Sequence, residues 1–191
     1  MTLQERKFLG YERSDGSVGV RNLVAVIYTV DCARLVSETI ASSIPNGIAA
    51  GWYSCFSTED THDINTLIGI AKNPNVGSTI VIGLGCQHIS PSDVAREIRK
   101  TGKEAEILTI QGVGGTRKTI EKGVKIATKM SNNLRELKRT LAPLSKLAIG
   151  IKLDGQGQSS KISYDLLREV GNGLSEQGGR VLLSSRMNYH G

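Results

Sequence analysis

Aromatic residues are scarce in this chain of 191 residues, which has one tryptophan, five tyrosines and two phenylalanines. Proteins that bind single-stranded nucleic acid stack bases on such side chains, so the composition disfavours this class although the net charge is +6. Much of the basic excess lies between Lys100 and Lys146. We interpret it as a solvated helix face or as an attraction for small anions, with nucleic acid the least favoured partner.

Long apolar runs are also missing. No stretch approaches the roughly 20 apolar residues of a membrane span, and Met1–Lys7 does not form the apolar core of a signal peptide. We therefore expect a cytoplasmic protein with no membrane partner. The three cysteines are odd in number and have neither CxxC nor zinc-finger spacing, so no disulfide framework is expected.

Short apolar runs alternate with segments of helical spacing along the chain. This alternation is typical of βαβ units with right-handed crossovers. The sequence predicts a single α/β domain over residues 1–191, with residues 1–20 as an N-terminal loop segment. We expect a Rossmann-like three-layer sandwich with a mostly parallel sheet of about six strands. The predicted strands are 23–30, 48–53, 78–84, 105–110, 146–151 and 180–184, and the predicted helices are 31–42, 61–72, 90–100, 117–141 and 160–174.

Each of the three cysteines falls just after a predicted strand. Cys32, Cys55 and Cys86 would then lie at the carboxyl edge of the sheet, where open α/β sheets bind ligands. A thiolate at a helix N-terminus has a lowered pKa and can ligate a metal. Asp31 and His88 would complete a mixed site. The alternative is that each cysteine is a small buried residue of the core.

Three polar turns offer further candidate sites. The glycines of Gly112–Lys118 bring backbone N–H groups and Arg117 to a helix start, which favours an anion, or they serve only close strand–helix packing. Residues 154–160 either hydrogen-bond a polyhydroxylated ligand or cap a helix. Arg21 and Asn22 lie in a polar cluster before the first strand, and they either capture a carboxylate or lock that loop.

Several motifs together resemble the catalytic domain of the altronate/galactarate dehydratase family, to which the large subunit of sulfolactate sulfo-lyase belongs. The resemblance extends over essentially the whole chain, which corresponds to the N-terminal half of that domain. Its motifs are Phe8–Gly16, Val18–Asn22, Thr29–Cys32, Asn73–Gly77, Gly83–Gln87 and Gly114–Ile120.

The resemblance implies a lyase, and in particular a hydro-lyase acting on sugar acids or related hydroxy-carboxylates with a divalent metal, Fe²⁺ or Mn²⁺. It implies an acidic small-molecule substrate, a homo- or hetero-oligomer and a possible small partner subunit. We assign three groups of site residues on this basis. They are the catalytic residues Cys32, Cys86 and His88, the substrate-binding residues Arg21, Asn22, Gly114, Gly115, Thr116 and Arg117, and the metal ligands Cys32, Cys55 and Cys86.

Two segments depart from the family pattern. Gly51–Phe56 lacks the histidine and the flanking glycines that accompany the family cysteine, and Leu153–Gly157 lacks a cysteine and carries its acid at another position. These departures favour an alternative function, which is a non-catalytic subunit of the same fold that binds anions or other small ligands or serves assembly.

Overall fold

The computed structural model describes residues 6–51, 60–153 and 158–185. Contacts between Cα atoms divide the chain into a larger unit, Tyr11–Arg139, and a smaller unit made of Met1–Gly10 with Thr140–Gly191. The expectation of one domain stays a prediction. No helix in the described ranges is long and apolar enough to cross a membrane.

Strands occupy part of the segment that the sequence predicts as a loop. β1 is Lys7–Glu12 and β2 is Val18–Gly19, and they pair antiparallel through Tyr11 with Gly19 and Glu12 with Val18. The turn between them carries glycine and serine, which explains why its hydrophobic pattern is too weak to predict a hairpin.

A four-stranded parallel sheet forms the centre of the larger unit. Its strands are β3 (Leu23–Tyr28), β4 (Gly47–Gly51), β5 (Val76–Gly83) and β6 (Glu104–Thr109), in the order β4-β3-β5-β6. The chain leaves β3 toward one side of the sheet and then returns to build the other side from β5. This reversal places a topological switch point between β3 and β5, where open sheets bind ligands.

Helices cover both faces of this sheet. The helices are α1 (Arg34–Ser42), α2 (Asp60–Lys72), α3 (Pro91–Arg99), the single turn α4 (Ile110–Val113) and α5 (Thr116–Glu136). One core cluster joins Val26 and Ile80 to α1 and α5, and a second joins Ile27 and Val81 to α2 and α3. Successive residues of β3 and β5 therefore point into opposite cores, as expected of a parallel sheet buried on both faces.

The α/β class is confirmed by a four-stranded parallel sheet with helices, whereas the predicted Rossmann-like sandwich with about six strands is not confirmed. β8 (Ala148–Leu153) and β9 (Arg180–Ser185) form the expected strands, but in the described residues they pair parallel with each other as a separate sheet. The intervening helix, α6, is Gln158–Glu176. Periodicity along the chain identifies a strand but does not identify the strand that pairs with it, because pairing is set by packing elsewhere.

The end of the helix predicted over 117–141 also differs. Helix α5 stops at Glu136, five residues before the predicted end, and β7 (Thr140–Pro143) pairs antiparallel with Lys7–Gly10 of β1 in the smaller unit. Leu137 already has extended backbone angles. Pairing with β1 outweighs the helical spacing that the sequence continues to show, because tertiary contacts override local propensity.

Only one face of the β8–β9 pair is covered within the smaller unit. Gly171 of α6 lies against the side chain of Val181, so the helix packs on that face. On the opposite face Ala148, Gly150 and Leu182 are exposed, Leu182 by 67%. A parallel sheet usually has both faces covered, so this pair differs from the sheet of the larger unit.

Two segments of the larger unit interlock before β3. The amide oxygen of Asn75 accepts hydrogen bonds from the backbone N–H groups of Val20 (2.9 Å) and Arg21 (3.0 Å). The buried guanidinium of Arg13 donates to the carbonyl oxygens of Pro74 (2.8 Å) and Arg21 (3.2 Å). We call this set of contacts the clasp. It satisfies polar groups that would otherwise be costly to bury.

Lys103 closes the end of helix α2. Its ammonium group donates to the carbonyl oxygens of Ala71 (3.0 Å), Lys72 (3.0 Å) and Asn73 (2.8 Å), and the residue is 6% exposed. A cation at a helix C-terminus satisfies carbonyls that lack partners in the helix. Burial, reinforced by the charge of Arg13 and opposed by Asp15, lowers the pKa of Lys103 from 10.5 to about 8.

Replacing Lys103 with methionine is expected to lower the free energy of unfolding by about 1–3 kcal/mol near pH 7, because three carbonyls lose their donor. Between pH 8 and 10.5 the unfolded chain holds the Lys103 proton and the folded chain does not. The stability of the wild type relative to K103M should therefore rise with pH over this window. Urea unfolding of both proteins at several pH values measures the difference.

The matched control is Lys100→Met, which removes an exposed ammonium that pairs with Glu97 at 2.7 Å. A surface ion pair contributes roughly 0–1 kcal/mol, so K100M should stay near the wild type at every pH. A constant difference between wild type and K103M from pH 7 to 10 would contradict the assigned pKa of Lys103.

Candidate functional site

The candidate site lies at the carboxyl edge of the four-stranded sheet, beside its switch point. After β3 the chain makes a single 3-10 turn, Asp31–Ala33, and enters α1. Ala33 is fully buried and anchors the turn, whereas Asp31 and Cys32 are exposed. Cys32 therefore carries a free thiol on the surface next to the start of a helix. The prediction of a small core cysteine is wrong at this position.

Cys86 occupies the corresponding turn after β5, the neighbouring strand. The N–H of Gly85 donates to the side-chain oxygen of Gln87 at 2.6 Å, which closes the turn around the cysteine. Cys86 is a free and exposed thiol, and His88 is exposed two residues later. Because β3 and β5 are adjacent, Cys32 and Cys86 follow neighbouring strand ends on one edge of the sheet.

The glycine turn after β6 completes this edge. Gly114 and Gly115 have φ angles of 95° and 107°, which L side chains rarely adopt. The pair turns the chain sharply from α4 into α5. No side chain caps the start of α5, and no acidic residue lies in its first turn. Its first N–H groups therefore present partial positive charge at the sheet edge.

The basic side chains at this helix start are exposed on the surface and do not form the wall of a pocket. The Arg117 side chain is 92% exposed and pairs with Glu121 at 3.1 Å. The Lys118 side chain lies over Gly114, where a Cβ atom would meet its Nζ at 3.5 Å. Thr116 is exposed. A ligand at this turn would therefore compete with Glu121 for the guanidinium.

Arg21 and Asn22 lie at the opposite edge of the sheet from the cysteines. They precede β3, whose six residues separate them from the Cys32 turn by about 20 Å at the rise of an extended strand. Asn22 donates to the carbonyl oxygen of Leu134 at 2.7 Å. The structure brings Cys32, Cys86, His88 and the Gly114–Arg117 turn to one edge and leaves Arg21 and Asn22 at the other.

The described residues do not form a metal site by themselves. Within them, no three side chains of histidine, cysteine, aspartate or glutamate are grouped so that they could hold a metal ion. Cys55 lies outside the described residues, as do residues 154–157 of the last polar turn; from Gln158 the chain is helical. The assignment of a metal to Cys32, Cys55 and Cys86 stays a prediction.

Asp63 and Gln111 are two polar residues at this edge that the sequence-based choice of site residues does not include. Asp63, in the first part of α2, is 2% exposed, and its Oδ2 finds no donor in the described part of the chain. Such a carboxylate oxygen is costly to bury alone. The Gln111 side chain covers Gly85, and the backbone N–H of Gln111 donates to the carbonyl oxygen of Leu84 at 3.0 Å. In the sequence Asp63 belongs to an acidic cluster around His62 that either binds a cation or forms a solvated, capped helix start, and its burial arises only in the folded chain.

A sequence profile described as D-galactarate dehydratase/altronate hydrolase, second domain, matches residues 10–135. The chain belongs to this family. The matched range covers the clasp, the four-stranded sheet, the three turns of the candidate site and nearly all of α5. The resemblance on which the site residues were chosen is thereby confirmed, although the role of each residue is not tested by it.

Individual relatives agree with this membership. The altronate dehydratase of Bacillus subtilis is 30% identical over 197 residues, which cover 95% of this chain and 39% of that protein. The (2R)-sulfolactate sulfo-lyase subunit beta of Chromohalobacter salexigens is 35% identical over 159 residues, 80% of this chain and 39% of that protein. The L-threo-forming galactarate dehydratase of Escherichia coli is 26% identical over 84% of this chain and 35% of that protein. The chain thus spans about two fifths of the length of the relatives it matches.

The exposure of Cys32 and Cys86 predicts that both thiols react in the native protein. A native titration with 5,5′-dithiobis(2-nitrobenzoate) should detect both, because neither sulfur is shielded by the core. Cys32→Ser and Cys86→Ser should each lower the count by one. In the double variant any thiol that still reacts is that of Cys55. Titration of the unfolded wild type in denaturant should count all three thiols of the chain. A native protein whose count is unchanged by both single variants would contradict the described turns.

Proposed function

We propose that this chain is a component of a hydro-lyase that acts on sugar acids or related hydroxy-carboxylates. The observation that carries the proposal is the family match over residues 10–135, which includes every turn at the carboxyl edge of the sheet. Three of the relatives are named as altronate or galactarate dehydratases. The exposed thiols, His88 and an uncapped helix start at that edge supply the chemical groups that such a reaction needs.

The start of α5 is the proposed position of the substrate carboxylate. Its free N–H groups and partial positive charge favour an anion there, and Arg117 can add two parallel hydrogen bonds once it leaves Glu121. Gly114 and Gly115 have no side chain, so the ligand can approach the backbone of this turn closely. Arg21 and Asn22 lie at the other edge of the sheet and are not part of this proposed position, and their assignment as substrate-binding residues stays a prediction.

The proposed reaction is an elimination of water. A base removes the proton from the carbon next to the carboxylate, the electron pair forms a carbon–carbon double bond, and the hydroxyl on the next carbon leaves with a proton as water. The resulting enol becomes a 2-oxo acid. His88 is the proposed proton carrier, since an imidazole can both accept and donate a proton. Cys32 and Cys86 lie on the same edge of the sheet.

A divalent metal, Fe²⁺ or Mn²⁺, remains part of the expectation from family resemblance. The described donors do not make up its site, so no step of the elimination is assigned to it. We further propose a cytoplasmic location. A partner subunit is proposed as well, because one relative is named as a subunit.

The proposal predicts formation of a 2-oxo acid from altronate or galactarate, measured as the semicarbazone with Fe²⁺ or Mn²⁺ present. The protein should be assayed alone and with proteins that copurify from its own cells. Arg117→Gln should raise KM by about tenfold or more, because a charge-assisted pair of hydrogen bonds is lost. His88→Ala should lower kcat by about a hundredfold or more with little change in KM.

Lys129→Gln is the matched control, since it removes one exposed positive charge from the same helix at a distance from its start. It should leave both constants unchanged. A second candidate, the non-catalytic subunit that binds a small anion, is favoured by the missing histidine near Cys55. Binding of galactarate that depends on Arg117, without 2-oxo acid in any preparation, would select this second function and overturn the first.

A further inference from the structure

A basic groove lies at the amino edge of the four-stranded sheet, opposite the edge that carries the candidate site. It encloses about 350 Å³. Arg21, Arg135 and Arg139 line it, and Asn46 and Leu134 also contribute to its wall. All of these residues belong to the larger unit. The groove therefore brings together three guanidinium groups from distant parts of the sequence. Arg21 comes from the loop before β3, Arg135 from the last turn of α5 and Arg139 from the segment that follows α5.

The backbone that carries Arg21 is held on both sides by the clasp. Its N–H donates to Asn75 and its carbonyl accepts from Arg13. No hydrogen bond or ion pair involves the Arg21 guanidinium within the described part of the chain, and the residue is exposed. Because the backbone at Arg21 is already held, a ligand that binds its guanidinium pays the conformational entropy of ordering the side chain only.

The other two arginines are held near the same loop. Arg139 donates to the carbonyl oxygen of Val20 at 3.2 Å and lies over the ring of Tyr11 at 5.3 Å. The hydrogen bond from Asn22 to Leu134 ties the loop to the end of α5, where Arg135 is the next residue. The Arg135 guanidinium, like that of Arg21, has no acceptor among the described residues.

The charges in this groove are not balanced by acidic side chains. The ion pairs of the described residues involve other arginines and lysines. Three unpaired positive charges around one concave surface raise the local concentration of anions. Guanidinium groups match the geometry of carboxylate and phosphate oxygens. The C-terminal end of α5 carries a partial negative charge of roughly half an elementary charge. This partial charge is smaller than the charge of one arginine, so it does not balance all three.

We propose that this groove is a second binding site for a small anion with at least two negative charges, a phosphate group or a dicarboxylate. The site is independent of the proposed elimination, because the length of β3 separates it from the cysteine turns. It would therefore act as an effector site or a second substrate subsite at the opposite edge. Arg21, Arg135 and Arg139 are its contact residues, and Tyr11 holds Arg139 in place.

Calorimetric titration of the whole protein with inorganic phosphate, and separately with galactarate, tests this site. At least one of the two probes should bind in low salt, and the tighter one identifies the ligand source. Arg135→Gln and Arg21→Gln should each weaken that binding about tenfold, because each removes a charge-assisted contact. Arginine side-chain NMR signals of residues 21 and 135 should shift on addition of the probe.

Lys129→Gln serves as the matched control, since it removes one exposed positive charge outside the groove. It should retain binding at the groove within about twofold. Thermal unfolding of every variant checks that the fold is intact, and R21Q and R135Q avoid the packing contact of Arg139 with Tyr11. The proposal is overturned if R21Q and R135Q bind the probe as tightly as the wild type does. It is also overturned if neither probe binds at about 10 mM, roughly the upper limit of weak non-covalent binding.

Discussion

Coverage of both faces of the central parallel sheet is the constraint on which the larger unit depends. Val26 and Ile80 point into one core and Ile27 and Val81 into the other, so β3 and β5 have no solvent face. Such strands require helices on both sides, and right-handed crossovers then deliver every following turn to the same edge. The positions of Cys32, Cys86 and the Gly114–Gly115 turn follow from this requirement and not from any direct attraction among them.

The residues that identify the family perform two different physical tasks. One group, in the loop before β3 and in the turn at Asn73–Asn75, forms the clasp, in which Arg13 and Asn75 satisfy backbone groups across the amino edge. The other group lies in the turns at the carboxyl edge and leaves thiols, an imidazole and free N–H groups accessible. Arg21 and Asn22 belong to the first group, since they precede β3 at the amino edge, and their assignment as substrate-binding residues stays a prediction.

Local patterns were sufficient to predict the four strands of the central sheet, helices α1, α2 and α3, most of α5, and the common edge of Cys32, Cys86 and Gly114–Arg117. Apolar runs mark buried strands wherever they pair, Ser90 caps the start of α3, and Pro74 and Gly102 follow the ends of α2 and α3. The pairing of β8 with β9 alone was not predictable, because hydrophobic periodicity carries no information on partners. The exposure of the thiols, the burial of Asp63 and the groove of arginines also depend on contacts between distant segments. Composition could indicate an excess of positive charge, but not where that charge collects.

At Arg21 the main chain takes part in the clasp and the side chain does not, and this division has an evolutionary consequence. The clasp fixes the main chain at this position, so the fold constrains how the loop runs but makes no demand on the guanidinium. A substitution at residue 21 would change the charge and size of the amino-edge groove at little cost to folding. The arginine at position 21 of the family motif Val18–Asn22 is therefore not accounted for by selection on folding, in contrast to Arg13 and Asn75, where any change disturbs the support of β3 itself.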